Sequence, residues 1–248
     1  IKVSLTGAGA DEIFAGYYSH GLHFLKELEN SNKFNEEFKM WKKNVLPHVR
    51  NPYLKNYKKF LEKDYFTNYI FTRTEAIDKV LKYKSLSKFK DKKFTIDSLR
   101  NRMLNELYFE TIPQILNEDD QNHMLSSVEN RSPFLDVDLT EFSFKIPTKL
   151  LIKNAQNKYI LREAFKDILP KKISDTKMKK GFNASIDSIL KRDKKSFLKI
   201  FPNNHEKIYK FIDVHQLKKL YFKKKLTNSE SMFLFRVINC SILLKRFA

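Results

Sequence analysis

Residues 1–17, IKVSLTGAGADEIFAGY, combine a short apolar run, a glycine-containing turn and an acidic helix start. The run over residues 1–5 predicts a buried strand, and Gly7 and Gly9 follow it directly. Glycine allows backbone amides to approach a nucleotide without interference from a Cβ atom, and a helix start favours bound anions. The alternative is purely structural: a tight turn in which Asp11 caps the helix.

The opening strand needs neighbours in a sheet. The first residue is Ile rather than Met, and no other convincing strand pattern occurs in the sequence. We therefore expect that the neighbouring strands belong to a preceding segment and that this chain is the C-terminal part of a longer polypeptide. The rest of the pattern is overwhelmingly helical. Predicted helices include residues 11–29, 139–146, 158–169 and 230–247, a helix capped by Asp97, and a break near Pro113.

The segment 118–136, EDDQNHMLSSVENRSPFLD, places charged residues beside a rigid turn. Residues before proline avoid the helical region, so Ser132 is expected to end a helix and to present Glu129 and Arg131 at its C-terminal edge. Because an ionisable pair is costly to bury, this pattern indicates a functional site. The alternative is a buried structural ion pair that braces the turn at Pro133 and would also be damaging to break.

Four stretches, in the same order, resemble the asparagine synthetase family. Residues 4–17 are similar to its Gly-x-Gly-x-Asp-Glu-x-Phe-x-Gly-Tyr sequence, and residues 129–136 (ENRSPFLD) to its Glu-x-Arg-x-Pro-Phe-Leu-Asp sequence. Residues 157–162 (NKYILR) resemble its Lys-x-x-Leu-Arg helix, and residues 177–182 (KMKKGF) its basic Gly-Phe turn. The resemblance covers roughly residues 3–190 and is weakest over residues 30–97.

The resemblance implies a fold class as well as a chemistry. The expected fold is mostly α in this fragment, as the C-terminal portion of an α/β ATP-pyrophosphatase-type synthetase domain, which is adenine nucleotide alpha hydrolase-like. Within residues 1–248 we expect a family-matching core over residues 1–195 and a helical C-terminal extension over residues 196–248.

The implied activity is that of a carbon–nitrogen ligase. The family adenylates a carboxylate with ATP and Mg²⁺ and then admits ammonia released from glutamine, most simply to make asparagine from aspartate in asparagine biosynthesis. The nucleotide-binding Ser-Gly-Gly-x-Asp-Ser loop and the N-terminal catalytic cysteine of the glutaminase are absent from this sequence. The fragment is therefore not expected to catalyse alone, and its expected partners are a preceding nucleotide-loop segment, a glutaminase domain and a small carboxylate substrate.

The resemblance also implies roles for individual residues. Lys158 matches the family lysine that contacts the pyrophosphate and the acyl-transfer intermediate. Thr6 and Gly7 are implied to contact the adenylate, and Asp11 to help bind Mg²⁺ together with an acidic residue from another segment. A hard cation prefers such oxygen ligands. The turn over residues 177–181 would form a basic flap over phosphates or, equally, a solvated lysine run.

Glu129 and Arg131 are implied to face the acyl substrate or the incoming amine. At Ala8 the asparagine synthetases carry Glu and the related β-lactam synthetases Tyr, and at Gln121 many relatives carry a cation. A methyl group cannot transfer a proton, so the acceptor is expected to be another acid, such as a sugar acid, unless Glu129 has taken over the role.

Two further residues have competing interpretations. Tyr17 coincides with a family aromatic at the substrate pocket, but a tyrosine at helical spacing is also typical of plain core. His123 is expected to make a local hydrogen bond rather than to act as a base. Loss of catalysis in a degenerate family member is a further interpretation of Ala8.

The formal charge of +19 raises the possibility of a basic module that binds nucleic acid. Lysine greatly outnumbers arginine and is scattered along the chain, so we favour a solubilising surface and expect no specific nucleic-acid partner. The sole cysteine, Cys240, lies in an apolar run and is predicted to be a core residue. No apolar stretch reaches the 20 or so residues that cross a bilayer, so no membrane is expected. A chain without disulfides is expected in the cytoplasm.

Overall fold

A computed structural model of the chain describes residues 1–60, 62, 74–83, 90–176, 179, 184–202 and 206–247. The chain forms two compact units. The first combines residues 1–69 and 90–180, and the second combines residues 70–89 and 181–248. The candidate site residues Thr6, Gly7, Asp11, Glu129, Arg131 and Lys158 all belong to the first unit.

Helices dominate the described residues, which confirms the expectation of a mostly α fragment. In chain order the helices are α1 (Ala10–Phe14), α2 (Tyr18–Glu27), α3 (Phe34–Asn44), α4 (Tyr57–Phe60), α5 (Glu75–Val80), α6 (Ser98–Asn105), α7 (Ile112–Met124), α8 (Val137–Lys145), α9 (Tyr159–Ala164), α10 (Lys171–Ser174), α11 (Ile186–Ile189), α12 (Lys194–Ile200), α13 (Glu206–Tyr209), α14 (Val214–Tyr221) and α15 (Asn228–Phe247). Short 3₁₀ turns lie at Leu46–His48, Pro52–Leu54, Pro133–Leu135 and Thr148–Leu150, and a π-helical turn lies at Glu106–Glu110.

The predicted opening strand is present as β1 (Val3–Leu5), and its partner lies within the chain. The prediction that this strand is buried is wrong, because Val3 and Leu5 are exposed. Strand β2 (Glu129–Arg131) runs parallel to β1, with Val3 opposite Glu129. The expectation that the neighbouring strands would come from a preceding segment is therefore wrong for this one neighbour. A strand of three residues is too short to show the two-residue alternation by which strands are predicted from sequence.

The same strand corrects the predicted placement of Glu129 and Arg131 at the end of a helix. Helix α7 ends at Met124, and the left-handed φ of 52° at Ser127 turns the chain before it reaches Glu129. The helix therefore ends well before the residue that precedes Pro133. Glu129 and Arg131 lie on a strand beside β1 instead.

Two predicted helices are shorter in the structure. The helix expected over residues 11–29 is divided into α1 and α2, because Ala15 has a left-handed φ of 58° and the Gly16 amide donates to the Asp11 carbonyl oxygen at 2.8 Å. The helix expected over residues 158–169 is confined to α9. The predicted cap is confirmed, since an Asp97 carboxylate oxygen accepts from the Arg100 amide at 2.8 Å. The predicted break at Pro113 is also confirmed, because α7 begins at Ile112.

Two buried apolar clusters hold the first unit together. One joins α1 to α6 and to the segment before α9, through Ile13, Leu99, Met103 and Leu151, each of which has no exposed side-chain surface. The other joins α2, α3 and α4 and includes Ala155 from the segment that precedes Lys158. Burial of each large apolar side chain contributes about 1.5–3 kcal/mol. These clusters fix the elements that carry Asp11 and Lys158.

The second unit packs α5 and the C-terminal helices around Val80, Leu217, Tyr221 and Leu234. The prediction that Cys240 is a core residue is wrong, because its side chain is exposed. Helix α15 buries other positions, among them Leu234, Val237, Ile238 and Ser241. None of the helices in the described ranges has both the length and the apolar content required to span a membrane.

Candidate active site

The turn after β1 is packed against the turn after β2. The Thr6 amide donates to the Arg131 carbonyl oxygen at 2.9 Å, and the Thr6 and Ser132 hydroxyls lie 3.1 Å apart. Gly9 has a φ of 93°, and the Leu135 side chain occupies the space that a Cβ atom there would need. Gly9 is thus required for backbone conformation and packing, whereas a Cβ atom on Gly7 would meet open space.

Asp11, in the first turn of α1, accepts from two lysines. Its Oδ1 atom lies 2.7 Å from Lys158 Nζ, and its Oδ2 atom lies 2.5 Å from Lys179 Nζ. All three side chains are mostly buried. Burial alone would raise the pKa of Asp11, but the two ammonium groups together hold it below its ordinary value. Burial lowers the pKa of Lys179, and the Asp11 carboxylate only partly opposes this effect.

Lys158 is presented by a strained turn rather than by a helix. It has a left-handed φ of 56° and directly precedes α9. Its neighbour Asn157 donates from Nδ2 to the Tyr17 carbonyl oxygen at 2.7 Å, and the Tyr159 amide donates to the Leu151 carbonyl oxygen at 2.9 Å. Strained backbone of this kind is concentrated at functional sites.

Tyr17 connects this charged group to a buried carboxyl group. Its hydroxyl donates to Glu12 Oε1 at 2.5 Å, and Lys179 Nζ lies 3.6 Å from the centroid of its ring. Glu12 is 1% exposed, and burial raises its pKa despite the hydrogen bond from Tyr17. Burial and the Glu12 charge also raise the pKa of Tyr17. Tyr17 is therefore half-buried at the site and not plain core.

A cavity of about 110 Å³ lies beside the two ion pairs and is lined by Asp11, Gly16, Asn157, Lys158, Arg162 and Lys179, among others. Small-molecule pockets are typically about 300–1,000 Å³, so this cavity has room for one anionic group rather than a whole nucleotide. Two of its lining groups are the Lys158 and Lys179 ammoniums. The geometry therefore suits a phosphate group better than an apolar ligand.

The structure brings together Asp11 and Lys158 of the predicted site residues, and with them Lys179 from the turn predicted as a basic flap. Thr6 and Gly7 lie at the turn that leads into α1, and neither is among the described residues that line the cavity. Glu129 and Arg131 do not line it either. The structure thus places the predicted residues in two groups. Asp11 and Lys158 lie at the cavity, whereas Glu129 and Arg131 lie on β2 and Thr6 and Gly7 follow β1.

Glu129 and Arg131 form an ion pair at the surface. Glu129 Oε1 lies 2.8 Å from Arg131 Nη2, and the side chains are 54% and 64% exposed, respectively. The alternative interpretation of a buried ion pair bracing the turn is therefore wrong, because the pair faces solvent. An exposed pair contributes little to stability.

The remaining candidates have simpler placements. His123 makes the expected local hydrogen bond, from Nδ1 to the Asp119 carbonyl oxygen at 2.7 Å. Gln121 is exposed, and its side-chain amide donates to Asn117 at 3.1 Å. Of the basic turn over residues 177–181, only Lys179 is described, and the other residues lie outside the described part of the chain. Gly16 was not predicted as a cavity residue, although it falls within the glycine and tyrosine motif.

The sequence model of the asparagine synthase family matches residues 1–242. The chain belongs to the asparagine synthase family. It is 30% identical over 210 residues to "Asparagine synthetase [glutamine-hydrolyzing] 1" of Bacillus subtilis (strain 168), covering 78% of this chain and 32% of that protein. It is 29% identical over 177 residues to "Asparagine synthetase [glutamine-hydrolyzing] 3" of the same organism, covering 68% of this chain and 24% of that protein. No solved structure is significantly similar to the chain.

The asparagine synthase match extends past residue 190, where the sequence resemblance was expected to end, and includes most of α15. The chain spans about a third or less of the length of these two curated relatives.

The described residues do not form a magnesium site by themselves. No group of three or more His, Cys, Asp or Glu side chains among them is arranged to hold a metal ion, and both carboxylate oxygens of Asp11 face ammonium groups. The role of Asp11 as a metal ligand, which requires a second acidic residue from another segment, stays a prediction. Phosphate groups fit the donor set better, because three cationic side chains, Lys158, Arg162 and Lys179, line the cavity.

Proposed function

We propose that the chain is the C-terminal part of the synthetase half of an ATP-dependent, amide-forming ligase. In this reaction a carboxylate oxygen attacks the α-phosphorus of ATP and displaces pyrophosphate. Ammonia, derived from glutamine by a glutaminase domain, then attacks the acyl carbon and displaces AMP. The fold that we infer for the complete domain is of the ATP-pyrophosphatase type. Mg²⁺ would be held with ligands from outside this chain, and the cytoplasm is the expected location.

The observation that carries this proposal is the pairing of Lys158 and Lys179 with Asp11 beside a small cavity, in a chain of the asparagine synthase family. Preorganised cations stabilise charge that develops on phosphate oxygens without reorganisation during the reaction. In this proposal Lys158 and Lys179 bind the pyrophosphate. Asp11 holds their two ammonium groups in place before the substrates bind.

The carboxyl ends of β1 and β2 are the proposed place for the acyl-adenylate. Ligands of open α/β sheets bind outside the carboxyl ends of their strands, and the turns that contain Thr6 and Ser132 meet there. We propose that Thr6 and Gly7 contact the adenylate. Glu129 and Arg131, on β2, would contact the acyl group or the amine. The exposure of this second pair is compatible with a cleft that another segment completes.

Aspartate is the simplest acyl substrate, which would make the product asparagine. Ala8 favours a second candidate, a different acid such as a sugar acid, because a methyl group cannot supply the acid–base or orienting chemistry of the Glu found there in asparagine synthetases.

Pyrophosphate release tests the proposal. The longer protein is the complete polypeptide that this proposal implies. Assayed with ATP, Mg²⁺, glutamine and a panel of carboxylates, it should release pyrophosphate with one acid in strong preference. Preference for aspartate supports asparagine synthesis, and preference for another acid supports the second candidate. Silence with every acid, with glutamine and with ammonia, would refute the proposed activity. The chain of residues 1–248 alone should be inactive in the same assay.

A further inference from the structure

The segment that leads to Lys158 contains a cluster of unusual backbone conformations. Asn154, Ala155 and Lys158 have φ values of 53°, 57° and 56°, respectively. Left-handed φ is uncommon for residues other than glycine and persists only where the surrounding contacts enforce it. Ala155 carries only a methyl group, so its own side chain cannot hydrogen-bond to the turn. Two backbone hydrogen bonds between Lys153 and Gln156 close the turn locally, and the Asn154 and Ala155 amides are bound by another element of the fold.

Glu37, on α3, supplies that contact. Its Oε1 atom accepts from the Asn154 amide at 2.9 Å, and its Oε2 atom accepts from the Ala155 amide at 2.9 Å. Two successive amides that converge on one carboxylate form a concave anion-binding arrangement of the backbone. Hydrogen bonds to an ionised acceptor are stronger than those between neutral groups.

The position of Glu37 is itself fixed by packing. Trp41, one helical turn further along α3, is 3% exposed and belongs to the same buried cluster as Ala155. The helix and the turn are thus joined both by apolar contact and by the Glu37 carboxylate. A rotation of the turn away from α3 would break both amide hydrogen bonds.

The turn that Glu37 binds is followed closely by Lys158 in the chain. Between the turn and Lys158, the Asn157 side chain donates a hydrogen bond to the Tyr17 carbonyl oxygen. Lys158 then forms its ion pair with Asp11. We propose that Glu37 is a positioning residue that holds the turn closed and thereby keeps the Lys158 ammonium against Asp11 at the cavity. An effect of Glu37 on catalysis rests on the proposed function, because it would act through Lys158. Glu37 itself is not assigned any contact with substrate.

Nothing in the sequence distinguishes Glu37 from its neighbour Glu36. Both lie in the region over residues 30–97 that resembles the family least, and both fall in the first turn of α3. Glu36 is exposed, which makes Glu36→Ala a matched control. The two variants remove the same side chain from adjacent positions of one helix.

Lysine acetylation of the whole chain tests the inference without any requirement for activity. A water-soluble acetylating reagent is applied at low extent, and the rate at each lysine is read by peptide mass spectrometry. Lys149, which is exposed, and Lys223, which pairs with Glu230 at 2.8 Å in the second unit, serve as internal references. Far-ultraviolet circular dichroism reports whether the helices of the chain remain folded.

In Glu37→Ala the acetylation rate of Lys158 should rise about tenfold, as expected when a charge-assisted hydrogen bond that favours the closed turn is lost. The acetylation rates of Lys149 and Lys223 and the far-ultraviolet circular dichroism should stay as in the unsubstituted chain. Glu36→Ala should leave the acetylation rates of all three lysines unchanged. An unchanged Lys158 rate in folded Glu37→Ala would overturn the inference. If Glu37→Ala unfolds, Glu37→Gln, which keeps one oxygen acceptor, replaces it, and an unchanged Lys158 rate there overturns the inference equally.

Protection by pyrophosphate separates this inference from the proposed function. In the longer protein, pyrophosphate with Mg²⁺ should slow the acetylation of Lys158 if this lysine faces the leaving group. Absence of protection would count against the proposed function and would leave the effect of Glu37 on Lys158 intact. Protection together with a Lys158 rate that is insensitive to Glu37 would support the proposed function and overturn the positioning role of Glu37.

Discussion

Asp11 and Lys158 form an ion pair with 2.7 Å between Oδ1 and Nζ, although they come from distant parts of the chain. Asp11 follows the turn after β1, and Lys158 follows the turn held by Glu37. Lys179 completes the group from a third segment. Three side chains from separate segments therefore meet at one cavity.

Loss of Lys158 should abolish the chemistry without loss of the fold. In the longer protein, Lys158→Met keeps the apolar stem and removes the charge that we assign to the pyrophosphate, so pyrophosphate release should fall to background. Lys149→Met, at an exposed lysine, should keep normal turnover. Turnover of Lys158→Met close to that of the unsubstituted protein would contradict the assignment.

Asp11 should make stability depend on acidity. Its pKa is held below the value of about 3.9 of an unfolded chain. Above about pH 5 the stabilisation by ionised Asp11 is fully present. As pH falls from the unfolded-state pKa to the folded-state pKa, the unfolded chain binds a proton that the folded protein does not bind, and the stabilisation is lost. Asp11→Asn should cost about 2 kcal/mol at pH 7, the scale of a hydrogen bond to a charged group.

Urea unfolding of both proteins at pH 7 and pH 3 checks this prediction. The difference in unfolding free energy between the unsubstituted chain and Asp11→Asn should shrink at the lower pH. A difference that is the same at both values would show that Asp11 does not contribute through its charge.

Glu12 should have the opposite pH dependence. Its pKa is raised by burial, whereas an unfolded glutamate titrates at about 4.3. As pH rises from that value to the folded-state pKa, the folded protein keeps a proton that the unfolded chain has released, so the free energy of unfolding falls. Glu12→Gln, which keeps an oxygen acceptor for Tyr17, should remove this slope and gain stability relative to the unsubstituted chain as pH rises.

Glu12→Ala should instead cost about 2–4 kcal/mol, because it leaves a cavity and removes the acceptor of the Tyr17 hydroxyl. Glu141→Gln, at an exposed glutamate on α8, is the matched control and should leave the pH profile unchanged. Unfolding free energies measured from pH 4 to pH 8 distinguish these outcomes, and parallel profiles for Glu12→Gln and the unsubstituted chain would count against a raised pKa.

Substitution by alanine should affect stability differently at Gly16 and at Gly7. A Cβ atom on Gly16 would overlap the Asp11 carboxylate and the Lys158 side chain, so Gly16→Ala should separate the pair and cost about 1–3 kcal/mol, as overpacking does. A Cβ atom on Gly7 meets open space, and Gly7→Ala should stay within about 0.5 kcal/mol of the unsubstituted chain. Thermal unfolding checks the stability of both. If Gly7 contacts the adenylate, Gly7→Ala should lower ATP-dependent turnover in spite of its normal stability.

The Glu129 and Arg131 pair should affect function rather than stability. Because both side chains are more than half exposed, Glu129→Ala should change the free energy of unfolding by only about 0.5 kcal/mol. Steady-state kinetics of the longer protein then isolates any role with substrate. A loss of turnover supports the assignment of Glu129 to the acyl group or the amine, and unchanged kinetic constants would remove Glu129 from the site.

The sequence predicted what depends on local signals. The apolar run of β1, the cap at Asp97 and the break before Pro113 each follow from a few adjacent residues. Lys158 and Asp11 were identified because each lies within a recognisable family stretch. The division into a core over residues 1–195 and an extension over residues 196–248 stays a prediction.

Features that depend on distant contacts were not predictable. Strand β2 forms because β1 offers it a partner, and its three residues carry no strand pattern of their own. Glu37 binds two amides of the left-handed turn before α9, and nothing in the sequence distinguishes this glutamate from Glu36. The exposure of Cys240 depends on which face of α15 is buried. The apolar residues next to it in sequence therefore led to the wrong prediction of a core position.

Each compact unit contains one residue suited to optical detection. The sole tryptophan, Trp41, is buried in the first unit, and the sole cysteine, Cys240, is exposed in the second. A fluorophore attached through the thiol would report on the second unit, while ultraviolet emission from the indole reports on the first. Denaturation followed at both wavelengths would then reveal directly whether the two units melt in a single cooperative step or one after the other.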